Sequence, residues 1–188
     1  MIIKGDFNVR DFDLVFVDLE FSGLDLSKEV LEIGFVKVKA GTYEVLLEKD
    51  IKIKPTLIEE ADPDALAVNG YDPAEWEREG VDLRTGITEF LRHTEGTMLV
   101  GHNLPMDWMF LQKSIEACGL KPNYLYKGLD TYSFAWLLLR DHPEIRRFSL
   151  EELTKLFNIE RVKAHRALDD AKATYQVFLR LAQQKAYL

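Results

Sequence analysis

The chain has 188 residues, 47% hydrophobic and 30% charged, which is the composition of one globular domain over 1–188 with a core large enough to need no staples. Its 32 acids against 24 bases leave a net charge of −8, which argues against a protein that coats long nucleic acid by neutralising phosphates. The one cysteine, Cys118, excludes an internal disulfide, the amino terminus lacks a basic-then-apolar signal, and no apolar run nears the roughly 20 residues that span a bilayer, so the expected place is the cytoplasm, with no membrane partner.

In chain order, "DLVFVDLEF" (13–21) reads as a buried strand. "VLEIGFVKVKA" (30–40) and "TYEVLLEKDIKIK" (42–54) are β-rich runs broken at Gly41, which predicts a hairpin. The connection over 55–80 is long and rich in turn residues, with a short helix expected around Ala65, and is a candidate working loop. The period then becomes helical. "DLRTGITEFLRH" has Asp82 as N-cap and Leu83, Ile87, Phe90 and Leu91 on one face. "GTMLVGHN" is a short strand ending in a loop, and "LPMDWMFLQKSIEACG" a helix with Pro105 in its first turn and Gly119 as its stop. "DTYSFAWLLLR" is an apolar helix capped by Asp130, which could serve core or partner. "SLEELTKLF" opens with a capping box from Ser149 to Glu152, and the last helix runs from about Ala167 to Ala186. A hairpin ladder followed by strand–helix alternation predicts an α/β fold, a mixed sheet with helices on its faces.

The acids fall in three places. Asp18 and Glu20 are two apart on a strand, so both carboxylates leave one face at the strand's carboxyl end, where α/β sheets usually place ligands. Unpaired, they would repel each other unless a cation sat between them. In "VGHNLPMDWMF" a strand ends, His102 and Asn103 follow, and Asp107 lies in the first turn of a helix, where dipole compensation alone would also account for it. In "HRALDDA" His165 and Asp170 are five apart and would point away from each other on one helix. The helical pattern becomes regular only at Ala167, so His165 belongs to the loop ahead of the helix and can converge with Asp170, while Asp169 faces elsewhere. Taken singly, each cluster has an ordinary explanation as a solvated strand end or a capped helix start. Together they offer hard oxygen ligands for two divalent ions on a rigid frame, beside a histidine suited to accepting a proton near neutrality. The late bases Arg140, Arg146, Arg147, Lys155, Arg161, Lys163 and Arg166 read first as a solvated mixed-charge surface.

"DLE", "HNLPMD" and "HRALDD", in that order, resemble the three exonuclease motifs of the DEDD superfamily, histidine subtype, the group of the proofreading epsilon subunit of DNA polymerase III and ribonuclease T. The resemblance covers about residues 12 to 182. It implies a ribonuclease-H-like sheet of five strands with helices on both faces. It implies two divalent cations, Mg2+ or Mn2+, held by Asp18, Glu20, Asp107 and Asp170, with His165 as general base. It places Phe21, Ser22 and Leu24 at the terminal nucleotide, and His102 and Asn103 near its phosphate or sugar. Met106 stands where the family often has an aromatic residue, an apolar exchange that should pack similarly.

The implied activity is 3′–5′ hydrolysis of single-stranded nucleic acid, releasing nucleoside 5′-monophosphates. DNA is the favoured strand, as in proofreading during replication, and a DNA polymerase catalytic subunit is a partner to consider, although no polymerase domain is attached. A 3′-trimming exoribonuclease is the main alternative. An endonuclease on structured strands and a non-catalytic ribonuclease-H-like binding module are further readings, and a phosphatase is disfavoured because nothing resembles a phosphate-cradling glycine loop.

Overall fold

The computed structural model describes residues 7–162 and 164–184. Lys163, residues 185–186 of the expected last helix, and the first six residues of the amino-terminal segment lie outside the described residues. The sheet starts with β1 (Leu14–Phe21), whose side chains alternate between two cores. Val15, Val17 and Leu19 enter one core, Leu14 and Phe16 the other. The same period of two carries Asp18 and Glu20 onto the face of Leu14 and Phe16.

β2 (Val30–Val38) and β3 (Val45–Lys52) form the expected hairpin, closed by a turn in which Gly41 and Tyr43 take left-handed backbone. With β4 (Met98–Gly101) and β5 (Gly128–Asp130) the sheet has five strands in the order β3-β2-β1-β4-β5. β1 is antiparallel to β2 and parallel to β4, and β4 is parallel to β5, so the sheet is mixed, as expected. At three residues, β5 is too short for a period to show in the sequence.

The connection over 55–80 holds more structure than the one helix expected. A 3₁₀ turn (Ile58–Glu60) is followed by α1 (Pro63–Asn69) and α2 (Pro73–Glu79). Both helices begin with an Asp-Pro pair. Asp62 and Asp72 accept from the amides of Asp64 and Ala74, and the proline fills the first turn, where its missing amide costs nothing. Trp76 of α2 is buried and its indole donates to the Leu31 carbonyl at 2.8 Å, which pins the connection to β2.

α3 (Leu83–Thr94) and α4 (Leu104–Ala117) cover one face of the sheet. Ile87, Phe90, Phe110, Leu111 and Ile115 pack there on Val15, Val17, Ile33 and Phe35. Each such side chain contributes about 1.5–3 kcal/mol by leaving water. The opposite face takes α7 (Ala167–Gln183), with Ala171 and Phe178 on Phe16, Val36, Val38 and Val100. α5 (Thr131–Leu139) and α6 (Leu150–Leu156) pack beside α7. Only half of the capping box on α6 forms. Ser149 accepts from the Glu152 amide, but the Glu152 carboxylate accepts from the Arg147 amide at 2.8 Å and closes the loop before α6 instead. Among the described residues no helix is long and apolar enough to cross a membrane.

Candidate active site

Asp18 and Glu20 reach the carboxyl end of β1 facing α7. Gly34 on β2 is the direct strand partner of Asp18, and α7 starts directly above it. A Cβ on Gly34 would lie 2.0 Å from the backbone of Ala167 and Leu168, so the helix can come this close only because the residue is glycine. The close approach sets Asp170, 5% exposed, over the end of β1.

Asp107 arrives from the other side of the sheet. α4 is preceded by Asn103 in a left-handed conformation (φ 69°), whose amide donates to Asp130 at 2.9 Å. From the first turn of α4, Asp107 accepts from the Leu19 amide at 3.0 Å. Its carboxylate is thereby bonded to the residue between Asp18 and Glu20, and it is 6% exposed. Balancing a helix dipole would not require such burial.

His165 sits in the loop before α7 with left-handed backbone (φ 61°), and its amide donates to Asp170 Oδ2 at 3.2 Å. Its ring is at the solvent edge, and one ligand atom each of His165, Glu20 and Asp170 lie within 4.8 Å of one another. Placing the histidine before the helix therefore brings the two residues of "HRALDDA" together.

The electrostatics are those of a site short of positive charge. Burial, reinforced by Asp107, Asp170 and Glu20, pushes Asp18 well above the usual carboxylate range. Burial, with Asp170, Glu32 and Asp107 adding, pushes Glu20 up to about 8. Burial also takes Asp107 to about 8, against the Leu19 amide that favours its charged form. Among the described residues one guanidinium answers these acids: Arg161 donates to Asp170 Oδ1 through Nε at 3.1 Å and through a terminal nitrogen. Hard oxygen donors that resist ionising together at this spacing fit a divalent cation, which would relieve their repulsion.

Two cavities open on these acids and share Asp18, His102, His165 and Asp170. The first, about 540 Å³, is lined by Phe21, Leu24, Val68, Asn69, Asn103 and Met106 among others. Phe21 is stacked on Phe110 with centroids 3.9 Å apart, so its ring is held in place. Leu24 stands at the mouth, 73% exposed. Ser22 departs from the expectation that it meets the nucleotide. It is 2% exposed and lines neither cavity, because its hydroxyl accepts from the Glu29 amide at 2.9 Å and closes the loop after β1. The second cavity, about 680 Å³, is lined by Ser149, Glu151, Thr154, Lys155 and Arg161. His102 is within 3.0 Å of the Thr131 hydroxyl through Nδ1. The Thr131 hydroxyl also donates to the Gly101 carbonyl, and burial favours the neutral ring, against a bond to the Phe148 backbone that favours the charged one.

Two features went unread in the sequence. Arg161 reads in the sequence as one of the solvated bases, yet among the described residues it is the cation bonded to one of these four acids. Arg166, another of those bases, is paired with Glu32, a residue 134 positions away. Glu32, 1% exposed, accepts from Arg166 at 3.0–3.2 Å and from the Ala167 amide at 3.3 Å, so a β2 side chain on the face that α7 covers caps that helix. Arg166 also donates to Glu75 of α2 at 2.9 Å. A glutamate inside the apolar run "VLEIGFV" was the available signal, since such a residue is almost never fully buried without a partner.

The exonuclease family RNase_T matches residues 15–178. The chain is 31% identical over 183 residues to the DNA polymerase III PolC-type of Thermotoga maritima, a match covering 96% of this chain and 13% of that protein. It is 27% identical over 195 residues to the DNA polymerase III subunit epsilon of Aquifex aeolicus, covering 94% of this chain and 84% of the relative. The chain thus spans about an eighth of the length of the PolC-type relatives it matches. Among solved structures, E. coli Exonuclease I in complex with a dT13 oligonucleotide superposes with a TM-score of 0.80 at 20% identity, over 93% of this chain and 42% of that one, a likeness of fold. The family match takes in β1, α4 and the part of α7 that carries Asp170, the elements that gather the acids. The chain belongs to the RNase_T family of exonucleases.

Proposed function

We propose that the chain is a metal-dependent 3′–5′ exonuclease that releases nucleoside 5′-monophosphates from single-stranded nucleic acid, with DNA the favoured strand. The carrying observation is the convergence of Glu20, His165 and Asp170 within 4.8 Å at the end of β1, with Asp107 bonded into the same strand end. DNA is favoured because the PolC-type and epsilon relatives are DNA polymerase III proteins and the superposed structure holds dT13, while a 28% identical relative that is a ribonuclease T keeps the exoribonuclease reading in play. A DNA polymerase catalytic subunit is the corresponding partner, and the cytoplasm the corresponding place.

In this reading Asp18, Glu20 and Asp170 would hold one divalent cation, Mg2+ or Mn2+, and Asp18 with Asp107 would hold a second. Bound there, such ions acidify water and offset phosphate charge. His165, at the solvent edge, takes the proton of the water that attacks phosphorus and passes it to solvent. The bond from phosphorus to the 3′ oxygen of the preceding nucleotide breaks, that oxygen takes a proton from solvent water to become the new 3′ hydroxyl, and the terminal nucleotide leaves as a 5′-monophosphate. Phe21, braced by Phe110, and Leu24 hold the last bases by stacking and wedging, a contact that tolerates any sequence. His102 and Asn103 face the same nucleotide from the loop before α4.

Incubation with Mg2+ and single strands labelled at either end tests the proposal. Stepwise shortening from the 3′ end supports it. Internal cuts would mean an endonuclease, and no change a binding module, and either would end it. Matched ribo- and deoxyribo-oligomers decide the strand: faster loss of RNA would replace DNA by the exoribonuclease reading.

A further inference from the structure

We propose that Arg161 is an exchangeable counter-charge of this site: it neutralises Asp170 while the carboxylates hold no ion, and it turns to the phosphate of the strand once a divalent cation takes Asp170. The second half rests on the exonuclease reading; the first does not.

Both oxygens of Asp170 are engaged by the loop ahead of α7. Oδ2 accepts the His165 amide, and Oδ1 accepts Nε and a terminal nitrogen of Arg161. Oδ1 has both lone pairs filled by the guanidinium while Oδ2 keeps one free, so a cation that takes Oδ1, or both oxygens, must displace Arg161, and one on Oδ2 alone meets its charge. The His165 amide sets the position of the ring, so the guanidinium is the donor free to leave.

Comparison with Arg166, on the same loop, shows what an arginine in a fixed structural role looks like here. Arg166 is shared between Glu32 and Glu75, neither of which is among the proposed metal ligands. Among the described residues Asp170 is the sole ion-pair partner of Arg161, and Asp170 is a proposed metal ligand. Arg161 also lines the cavity that holds Asp18, His102, His165 and Asp170. Lys155, the other base lining it, is held by Glu151 at 2.5 Å.

The charge count gives the guanidinium its second partner. Four carboxylates and two divalent ions cancel, which leaves the phosphodiester charge unanswered, and that charge grows as a water oxygen adds to phosphorus. A planar fork of donors matches two phosphate oxygens, and the Arg161 side chain, only 12% exposed, gains from the exchange because it stays paired throughout.

The test compares the full chain with Arg161→Gln and Arg161→Lys. Mn2+ affinity is read by titration calorimetry and by the rise in Tm on Mn2+ addition. KM is read on a single-stranded oligodeoxynucleotide at saturating Mn2+. Arg161→Gln should bind Mn2+ about tenfold more tightly, since the ion no longer displaces a charged donor, while KM rises about tenfold. Arg161→Lys should fall between. The opposite signs are the signature, because a merely structural arginine would weaken both together. Mn2+ affinity that is unchanged or weaker in Arg161→Gln overturns the exchange; tighter Mn2+ with unchanged KM overturns the hand-over to phosphate. If Arg161→Gln is destabilised without ions, its Tm rise with Mn2+ should still exceed that of wild type. If the wild-type chain digests no strand, the exonuclease reading fails, while the Mn2+ comparison still decides the exchange.

Discussion

Replacing Gly34 with alanine should disable the site without touching any of its polar groups. The added Cβ would fall 2.0 Å from the Ala167 carbonyl carbon and the Leu168 nitrogen and 2.4 Å from the Ala167 oxygen, where ordinary contact begins at 3.4 Å. These atoms are backbone and cannot rotate away, so the start of α7 must lift by about 1 Å or more. Asp170 moves with it, away from Asp18 on the strand paired with Gly34. Metal–ligand distances tolerate only about 0.2 Å, so the shift is several times too large for shared coordination. Turnover should fall about 10²-fold. The overpacking should cost about 2 kcal/mol, a drop in Tm of roughly 4–8 °C. The assay is digestion of a 5′-labelled single strand in Mg2+ well below the Tm, with Mn2+ affinity measured on the same preparations. Gly86→Ala is the control. Its Cβ would meet only side-chain atoms of Ile53 and Ile51 at 3.1–3.3 Å, which can give by tenths of an ångström. Its place in α3 gains about 1 kcal/mol of helix propensity, so turnover should stay at the wild-type level. Wild-type turnover and Mn2+ affinity in Gly34→Ala would refute the claim that this close approach positions Asp170.

His165→Ala should lower turnover by about 10²–10⁴ while calorimetric Mn2+ binding survives, whereas Asp18→Asn should abolish both; loss of Mn2+ binding in His165→Ala would make the ring a ligand instead of a base. Ion-free stability should fall with rising pH. Glu20 and Asp107 are raised from ordinary values of 4.5 and 3.8 to about 8, so the folded state holds their protons where the unfolded chain has lost them. Their favourable contribution is complete below about pH 4 and is lost up to pH 8, at no more than about 1.4 kcal/mol per pH unit for each group. A divalent cation removes the cause, so its stabilising increment in denaturant melts should be larger at pH 8 than at pH 5.5; equal increments would contradict the assignment. Glu32→Ala should cost about 3 kcal/mol in the same melts, because Arg166 loses its buried partner and α7 its cap; a change within 0.5 kcal/mol, roughly the scatter of surface substitutions, would count against that role.

What could be read from the letters was local. Asp82 and Asp130 were legible as caps because capping joins residues two or three apart, and each accepts the expected amide, of Thr85 and Tyr132. The hairpin around Gly41 was legible for the same reason. α2 was missed although Asp72-Pro73 repeats the start of α1, because a seven-residue helix is too short to show a periodic face and Trp76 is buried against a strand far away in the sequence. Ser22 was misjudged because nothing nearby shows that the Glu29 amide would claim its hydroxyl.

For the site, spacing alone put Asp18 and Glu20 on one face and His165 ahead of its helix, and the order of the motifs indicated the family. Distance along the chain hid the rest. Asp107 bonds an amide 88 residues away, and Arg166 a carboxylate 134 residues away. Periodicity reports which way a side chain leaves its own element, since that direction follows from backbone geometry within a few residues. Which groups meet across elements depends on packing: one missing Cβ at Gly34 lets α7 descend, and the descent brings Asp170, and with it Arg161, onto the acids of β1.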